Sequence, residues 1–469
     1  NSDHEGVVIS FGKPHTKPVR RTIKTWRFTN EIRDFARQNP PSVNEEITDV
    51  NLLAGHLIDW LTNINKLASG TKTVTYPQSN NPWYSPELAA LRTNYTNLPS
   101  GIERNKLRNY YVSQVRRAKR DYLRNLTIRY HLSGGVWKVL RKKNHNADNW
   151  KMKIQGSDST DKEKIADNFR DHFKSKTESL RKQPDHSRIL SEIKAKFTNP
   201  PSWDLSTCNA LEVSKAIDSL RPGLSSGPDQ IPNSLIKNLK FEILPSLTHI
   251  VNCSISSGVF PTLWKQGRVV PVHKRGSKDS FENYRPVCLT SCLGKVVEQV
   301  IRNKFQDHLE KILPENMFGF RRHRSTQDAI IRVTDHIKYL KSQGLKVAAV
   351  AIDATAAFDT VSHQLILSTL EAVGVGPKMT AWIRSFTDDC HQHVDINGTL
   401  SKSWSSDVGL GQGRKLSPDL YNIASLSAAF WSRLSEAFLF ADDGLNVVSA
   451  PTTFECNDKI LSVTHEIVD

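Results

Sequence analysis

Cysteine is scarce in this sequence, and what there is lies scattered. The six residues Cys208, Cys253, Cys288, Cys292, Cys390 and Cys456 form no CxxC pair and no Cys/His ligand spacing. A disulfide framework and a zinc module are therefore not expected, and reduced thiols of an intracellular protein are the simpler reading. Long apolar runs are missing as well. None approaches the roughly 20 residues needed to span a bilayer, and no charged-then-apolar leader opens the chain, so no membrane partner is expected. No internal repeat or low-complexity tract appears. Acidic residues are the third shortage. Asp and Glu number 48 against 64 Lys and Arg, a formal charge of +16 with a pI near 9.5. An excess of that size points to a polyanionic partner such as nucleic acid.

What is present is length and pattern. At 469 residues the chain exceeds the usual limit of a single core, so two or more domains are expected. It opens at Asn1 without Met and stops at Asp469 inside a helical pattern, which reads as a fragment of a longer polypeptide. Residues 13–24 form a basic, proline-punctuated stretch with the character of a linker. Helical periodicity over 29–67 ends at Tyr76-Pro77-Gln78-Ser79-Asn80-Asn81-Pro82, which predicts a loop. Residues 102–143 form a long helical pattern dense in Lys and Arg, opposed only by Glu103 and Asp121. Tyr110, Tyr111, Tyr122, Tyr130 and Trp137 interleave with those charges. The charges are expected to meet phosphates, and most of the aromatics to pack in a core. Residues 158–196 read as polar, charged helices closed by Asn199-Pro200-Pro201. Helices and short strands alternate beyond them, with a loop at 223–229, a strand at 267–272, and helices near 293–309 and 327–342.

Two acidic sites stand out. Phe440-Ala441-Asp442-Asp443 sits between the apolar run Ala437-Phe438-Leu439 and the strand-like Leu445-Asn446-Val447-Val448, while Asp353 ends the run 347–352. The pattern puts three carboxylates at strand ends or a hairpin turn. Two like charges about 4 Å apart repel by roughly 4 kcal/mol at an effective dielectric near 20, and a divalent cation would reverse that sign. Hard oxygen ligands without His or Cys favour Mg²⁺ or Mn²⁺, and a pair of such ions serves in-line displacement at phosphorus. A plain solvated turn is the competing reading of these residues alone.

The surrounding motifs, taken in order, are more specific. They are Ser225-Ser226-Gly227-Pro228-Asp229-Gln230-Ile231-Pro232; Val269-Val270-Pro271-Val272-His273-Lys274-Arg275-Gly276; Tyr284-Arg285-Pro286-Val287; Phe318-Gly319-Phe320-Arg321 with Ser325-Thr326; Ala351-Ile352-Asp353 with Ala357-Phe358-Asp359; Gly411-Gln412-Gly413 with Leu416-Ser417-Pro418; and Phe440-Ala441-Asp442-Asp443. The series, spanning about residues 211–449, resembles the reverse transcriptase of non-LTR (LINE-type, Jockey-like) retrotransposons. The resemblance implies an α/β (α+β) right-hand polymerase with fingers and palm, two Mg²⁺ ions (or Mn²⁺), an RNA template, a DNA primer or target, and deoxynucleoside triphosphates. It implies Asp353, Asp442 and Asp443 as the metal-binding, catalytic carboxylates. Phe358 is implied as the ring beneath the sugar that excludes a 2′-hydroxyl, with an ordinary core Phe as the alternative. Gln412 and Gly413 resemble the loop along the incoming nucleotide, and Lys274 and Arg285 the finger residues that meet triphosphate or template. Asp359 is expected to be structural. Asn1-Ser2-Asp3-His4 resembles the last active-site motif of the apurinic-type endonuclease that precedes the polymerase in such elements, with Asp3 and His4 as its remnant. The family context implies target-primed integration in the nucleus and a cytoplasmic ribonucleoprotein.

The expected domains are an endonuclease remnant and linker over 1–24, a basic helical connector over 25–200, fingers over 201–343 and a palm over 344–469 that stops before the thumb. Three departures from the family pattern matter. Gly411 and Arg414 replace the usual Pro and Ser around the Gln-Gly, which with Lys415 adds two cations near the nucleotide; Phe440 replaces Tyr; and Gly444 follows the acids. They leave open a second reading, a decayed copy that binds RNA or DNA without turnover. A group II intron or telomerase-type polymerase shares the palm, but the endonuclease-like start disfavours it. The second acidic pair, Asp388-Asp389, is expected to lie solvated in a helix-to-strand connection.

Overall fold

Val19–Trp26 alternates cations with Val, Ile, Thr and Trp, and β-branched content decides its structure. It is a strand, β1, paired antiparallel with β2 (Ser69–Tyr76) from Val19↔Tyr76 to Trp26↔Ser69. Residues 19–24, expected as linker from their charge, are therefore part of a sheet. The computed structural model describes residues 19–76, 83–131, 150–180, 186–354, 356–405, 407–430 and 432–468. Asp3 and His4 lie outside them, as do Trp137, Lys138 and Arg141.

The chain divides into two compact units, 1–27 with 69–148 and 28–68 with 149–469. In the first, Ser85 caps the helix Pro86–Asn97, accepting a hydrogen bond from the Leu88 amide, and Pro86 fills the first turn where its missing N–H is harmless. The helix Ile102–His131 follows. Its Tyr111 is half-buried against Tyr95 at 5.2 Å between ring centroids and shares a 3.1 Å hydrogen bond with the Tyr84 hydroxyl. Burial and that bond push the Tyr111 hydroxyl up to about 12. Tyr110 is exposed, as are Lys106, Arg108, Arg116, Arg117, Lys119, Arg120 and Arg124.

In the second unit the single helical stretch expected over 29–67 is two helices, Asn30–Gln38 and Val50–Ala68. Pro40 and Pro41 explain the break, since a proline disfavours helix in the residue before it. Val50–Ala68 buries Leu53, Ala54, Leu57, Leu61 and Ile64 on one face and packs on the helix Lys240–Ser257. Around Trp382 a buried aromatic cluster forms, with Phe386 stacked on it at 5.4 Å and Phe260 edge-on at 5.4 Å.

Two sheets carry the rest. One joins β5 (Gly267–His273) and β6 (Tyr284–Thr290) as an antiparallel pair, with β8 (His391–Ile396) parallel to β5 and β9 (Thr399–Leu400) and β10 (Trp404–Ser405) antiparallel to β8. The helix Lys162–Leu180 lies on this sheet. Its Ile165, Ala166, Phe169 and Phe173 share a core with Val269, Tyr284, Cys288, Val394 and Ile396, and Met152 of β3 (Met152–Ile154), which pairs with β4 (Ser157–Ser159), joins them. Residues 150–180 thus belong with the sheet that carries Lys274 and Arg285, not with a connector. The other sheet has the order β11-β12-β7, all antiparallel: Glu436–Phe440, Asp443–Ala450 and Lys346–Asp353. The helices Thr326–Ser342 and Thr453–Val468 cover it. Among the described residues no helix is long and apolar enough to cross a membrane.

Candidate active site

Register brings the acids together. In the β12–β7 ladder Asp443 pairs with Asp353, and the Ala354 amide donates to the Asp442 carbonyl at 3.3 Å. Phe440 pairs with Asp443, so Ala441 and Asp442 form a two-residue hairpin turn. Ala441 has φ +57, a left-handed conformation that costs an L-residue roughly 1–2 kcal/mol. Phe320 (φ +61) and Ala356 (φ +53) carry the same strain beside it, and such residues gather where surrounding structure fixes a functional shape. Asp353, Asp442 and Asp443 are all exposed.

A cavity of about 900 Å³ opens in front of the turn. Asp353, Asp359 and Asp442 line it together with Lys176, Lys274, Arg275 and Arg285. Phe358, Gln412 and Gly413 line it as well. Asp443 is placed differently: with Asp442 it borders a neighbouring, mostly apolar cavity of about 600 Å³. Arg285 lies on β6 and Lys274 directly follows β5 in the same hairpin, the Lys274 amide donating to the Asn283 carbonyl at 2.7 Å. Burial, then the charges of Lys176 and Arg285, depress the Lys274 ammonium, partly offset by Asp359.

The family comparison decides what this cavity belongs to. Residues 272–466 match the family model described as "Reverse transcriptase (RNA-dependent DNA polymerase)". The chain carries a reverse transcriptase domain. It is 32% identical over 215 residues to a Drosophila melanogaster protein named "Probable RNA-directed DNA polymerase from transposon BS", covering 45% of this chain and 24% of that protein. Against the RNA-directed DNA polymerase from mobile element jockey of the same fly it is 29% identical over 226 residues, 47% of this chain and 24% of the relative. A 115 kDa protein in the fly's type-1 retrotransposable element R1DM is 26% identical over 408 residues, 80% of this chain and 38% of that one. The chain thus spans about a quarter of the first two relatives' length.

Within the reverse transcriptase domain, Phe358 is half-buried, stacked on Tyr421 at 4.8 Å and 18° and met edge-on by Phe320 at 5.8 Å. It lines the cavity with these two rings packed on it. Burial and the nearby charge of Asp442 push the Tyr421 hydroxyl up to about 12, so it stays protonated. Asp359 is structural in a definite sense. Its carboxylate accepts from Gln412 Nε2 at 3.3 Å, and burial raises its pKa. Gln412 is held at its backbone too, accepting from the Cys288 amide at 2.8 Å. Gly413 has φ +118, and a Cβ there would stand 2.5 Å from the Cys288 carbonyl oxygen, so the position admits only glycine.

Arg414 borders the same cavity, as expected of a cation near the nucleotide, but it is only 9% exposed and its guanidinium is tied to protein groups. Its guanidinium donates to the carbonyls of Phe386 (3.0 Å) and Lys265 (3.2 Å) and to Cys390 Sγ (3.0 Å), and stacks 4.7 Å from the Phe386 ring. Lys415 is half-buried, and burial lowers its pKa. Asp388 and Asp389 are exposed between the helix Pro377–Thr387 and β8, as expected of a solvated pair.

Sequence reading assigned no role to Gly319, which supports the acidic turn directly. The Phe318 amide donates to the Leu439 carbonyl (2.8 Å), the Leu439 amide to the Asn316 carbonyl (2.9 Å), and Asn422 Nδ2 to the Gly319 carbonyl (3.0 Å). This lays the Phe-Gly-Phe segment along β11, where a Cβ on Gly319 would collide with the backbone N and Cα of Ala441. Gly319→Ala is expected to lower stability by about 1–3 kcal/mol through overpacking. Displacing the turn by about 1 Å should also cost on the order of a hundredfold in nucleotide incorporation. Thermal unfolding and single-turnover extension measure the two effects, and a variant unchanged in both would show that the turn does not lean on this segment.

Proposed function

We propose that this domain copies RNA into DNA, joining a deoxynucleoside triphosphate to a primer 3′-hydroxyl on an RNA template. The observation that carries the reading is that one cavity is lined by both the carboxylates Asp353 and Asp442 and the cations Lys274 and Arg285. Among the described residues no three His, Cys, Asp or Glu side chains gather so as to hold a metal ion by themselves. Mg²⁺ dehydrates reluctantly and binds through one or two carboxylates plus substrate phosphates rather than an all-protein cage. Asp353 and Asp442, hard oxygen donors, would hold it, with Asp443 beside them in register. When bound, a pair of such ions supplies an acidified 3′-hydroxyl and neutralises the departing pyrophosphate.

The chain's own residues bind and align. Lys274 and Arg285 take the triphosphate, Gln412, held by Asp359, sets the nucleotide's edge, and the Phe358 ring, braced by Tyr421, occupies the space a 2′-hydroxyl would need. The retained acids, with Asp443 and Asp353 paired in register, support turnover over a binding-only relic. The exposed cations of Ile102–His131 are suited to nucleic-acid phosphates, the Tyr111 side of that helix being taken up by Tyr84 and Tyr95.

Single-turnover extension of a DNA primer on an RNA template, with Mg²⁺ or Mn²⁺, tests the reading. The unaltered chain is expected to add deoxynucleotides and to discriminate against ribonucleotides. Phe358→Ala should relax that discrimination by about a hundredfold, a loss of roughly 3 kcal/mol of steric rejection. No incorporation with either ion by the unaltered chain overturns the proposal.

A further inference from the structure

Lys176 stands outside the 272–466 family match and nearly a hundred residues before Lys274, yet it borders the same cavity. We propose that Lys176, on the helix Lys162–Leu180, is a third phosphate ligand for the triphosphate of the incoming nucleotide, beside Lys274 and Arg285. The inference rests on the polymerase reading above and adds a residue to it.

The helix places Lys176 by packing. Phe169 and Phe173 are buried against the β5–β6–β8 sheet, Phe169 lying 4.7 Å from Phe281 and 5.0 Å from Tyr284, ring to ring. Residues 172, 173, 176 and 177 follow on adjoining faces one turn on, and all four border the cavity. Lys176 is half-buried there, so its ammonium has a restricted set of directions. Among the described residues neither Lys176, Lys274, Arg275 nor Arg285 forms an ion pair with a carboxylate. Lys176 and Lys274 have Asp359 as a neighbouring charge, but gathering these four cations around one cavity is unfavourable unless an anion of high charge density joins them. A triphosphate supplies that density at one point. A nucleic-acid backbone supplies one charge per phosphate, spaced along its length. The position favours the triphosphate, because the same enclosure holds Gln412, Gly413 and Asp442.

The test compares the full chain with Lys176→Ala, Lys176→Arg and Lys274→Ala. Equilibrium binding of dTTP with Mg²⁺, and of inorganic tripolyphosphate with Mg²⁺, is measured beside binding of an RNA–DNA primer duplex over a range of salt. Lys176→Ala is expected to weaken dTTP and tripolyphosphate alike by about tenfold, with Lys176→Arg restoring most of the loss. Duplex affinity and its salt slope should not change. Unchanged dTTP binding in Lys176→Ala while Lys274→Ala weakens it overturns the assignment of Lys176 alone, and a salt slope reduced by about one would make Lys176 a template contact instead. If the unaltered chain binds neither dTTP nor tripolyphosphate, the polymerase reading falls and this inference with it.

Discussion

Asp442→Asn is expected to reduce single-turnover extension by about a thousandfold or more while leaving the fold intact. Asparagine keeps the shape of the side chain and removes its charge, so any loss reports charge rather than packing. The carboxylate stands at the hairpin turn with Asp353 and Asp443 brought beside it by register, and the three share an exposed edge. Deleting one of three like charges relieves repulsion in the resting protein, so the thermal midpoint should not fall. The same deletion withdraws stabilisation where the transferring phosphoryl group develops charge, and single electrostatic groups at such positions are worth about 10²–10³ in rate. Affinity for dTTP without divalent ion should change little, because Lys274 and Arg285 remain. Extension within tenfold of the unaltered chain would remove Asp442 from the chemistry.

The carboxylates were legible because their signal is local. An apolar run ending in acid reads as a strand end, and the family resemblance implied that the three acids act together. The hairpin that carries Lys274 and Arg285 was half legible. β5 follows from its Val content, but β6 is punctuated by Arg285 and Pro286, and a proline argues against a central strand. In the structure Pro271 and Pro286 face one another across the ladder. Lys176 was not legible at all. Its helix shows a narrow stripe, Ile165, Ala166, Phe169 and Phe173, in an otherwise charged segment, and nothing in that spacing says the stripe seats on strands a hundred or more residues later. Gly319 had a signal of the right kind, a glycine between two aromatics, but the clash that demands it involves a turn more than a hundred residues away. The burial of Arg414 was not legible, because a charged residue in a loop is exposed by default and its partners come from two distant stretches of chain.

Arg414→Ser, the change that would restore the family's usual residue, is for that reason expected to damage this protein. Glu298 is fully buried and accepts from the amides of Lys415 (2.6 Å) and Leu416 (3.1 Å). Burial raises its pKa, and the guanidinium of Arg414 is the largest influence holding it down. Serine would leave that carboxyl without its compensating charge and the carbonyls of Phe386 and Lys265 without a donor. Breaking a buried charge arrangement from one side costs about 3–5 kcal/mol, and a stability loss of that size is a large part of what a domain possesses. Chemical denaturation should therefore show a lower midpoint for Arg414→Ser, and the double variant Arg414→Ser/Glu298→Gln should recover part of the loss, because the stranded charge is then gone. Extension by Arg414→Ser is expected to fall with the folded fraction, since the Gly411–Gly413 loop that positions Gln412 is anchored through the same residues: Ser417 Oγ donates to the Gly411 carbonyl, as does the Arg414 amide. A variant that is as stable as the unaltered chain and extends faster would instead mark Arg414 as the hindrance its sequence position suggests, and would return the cation to the nucleotide side of the loop.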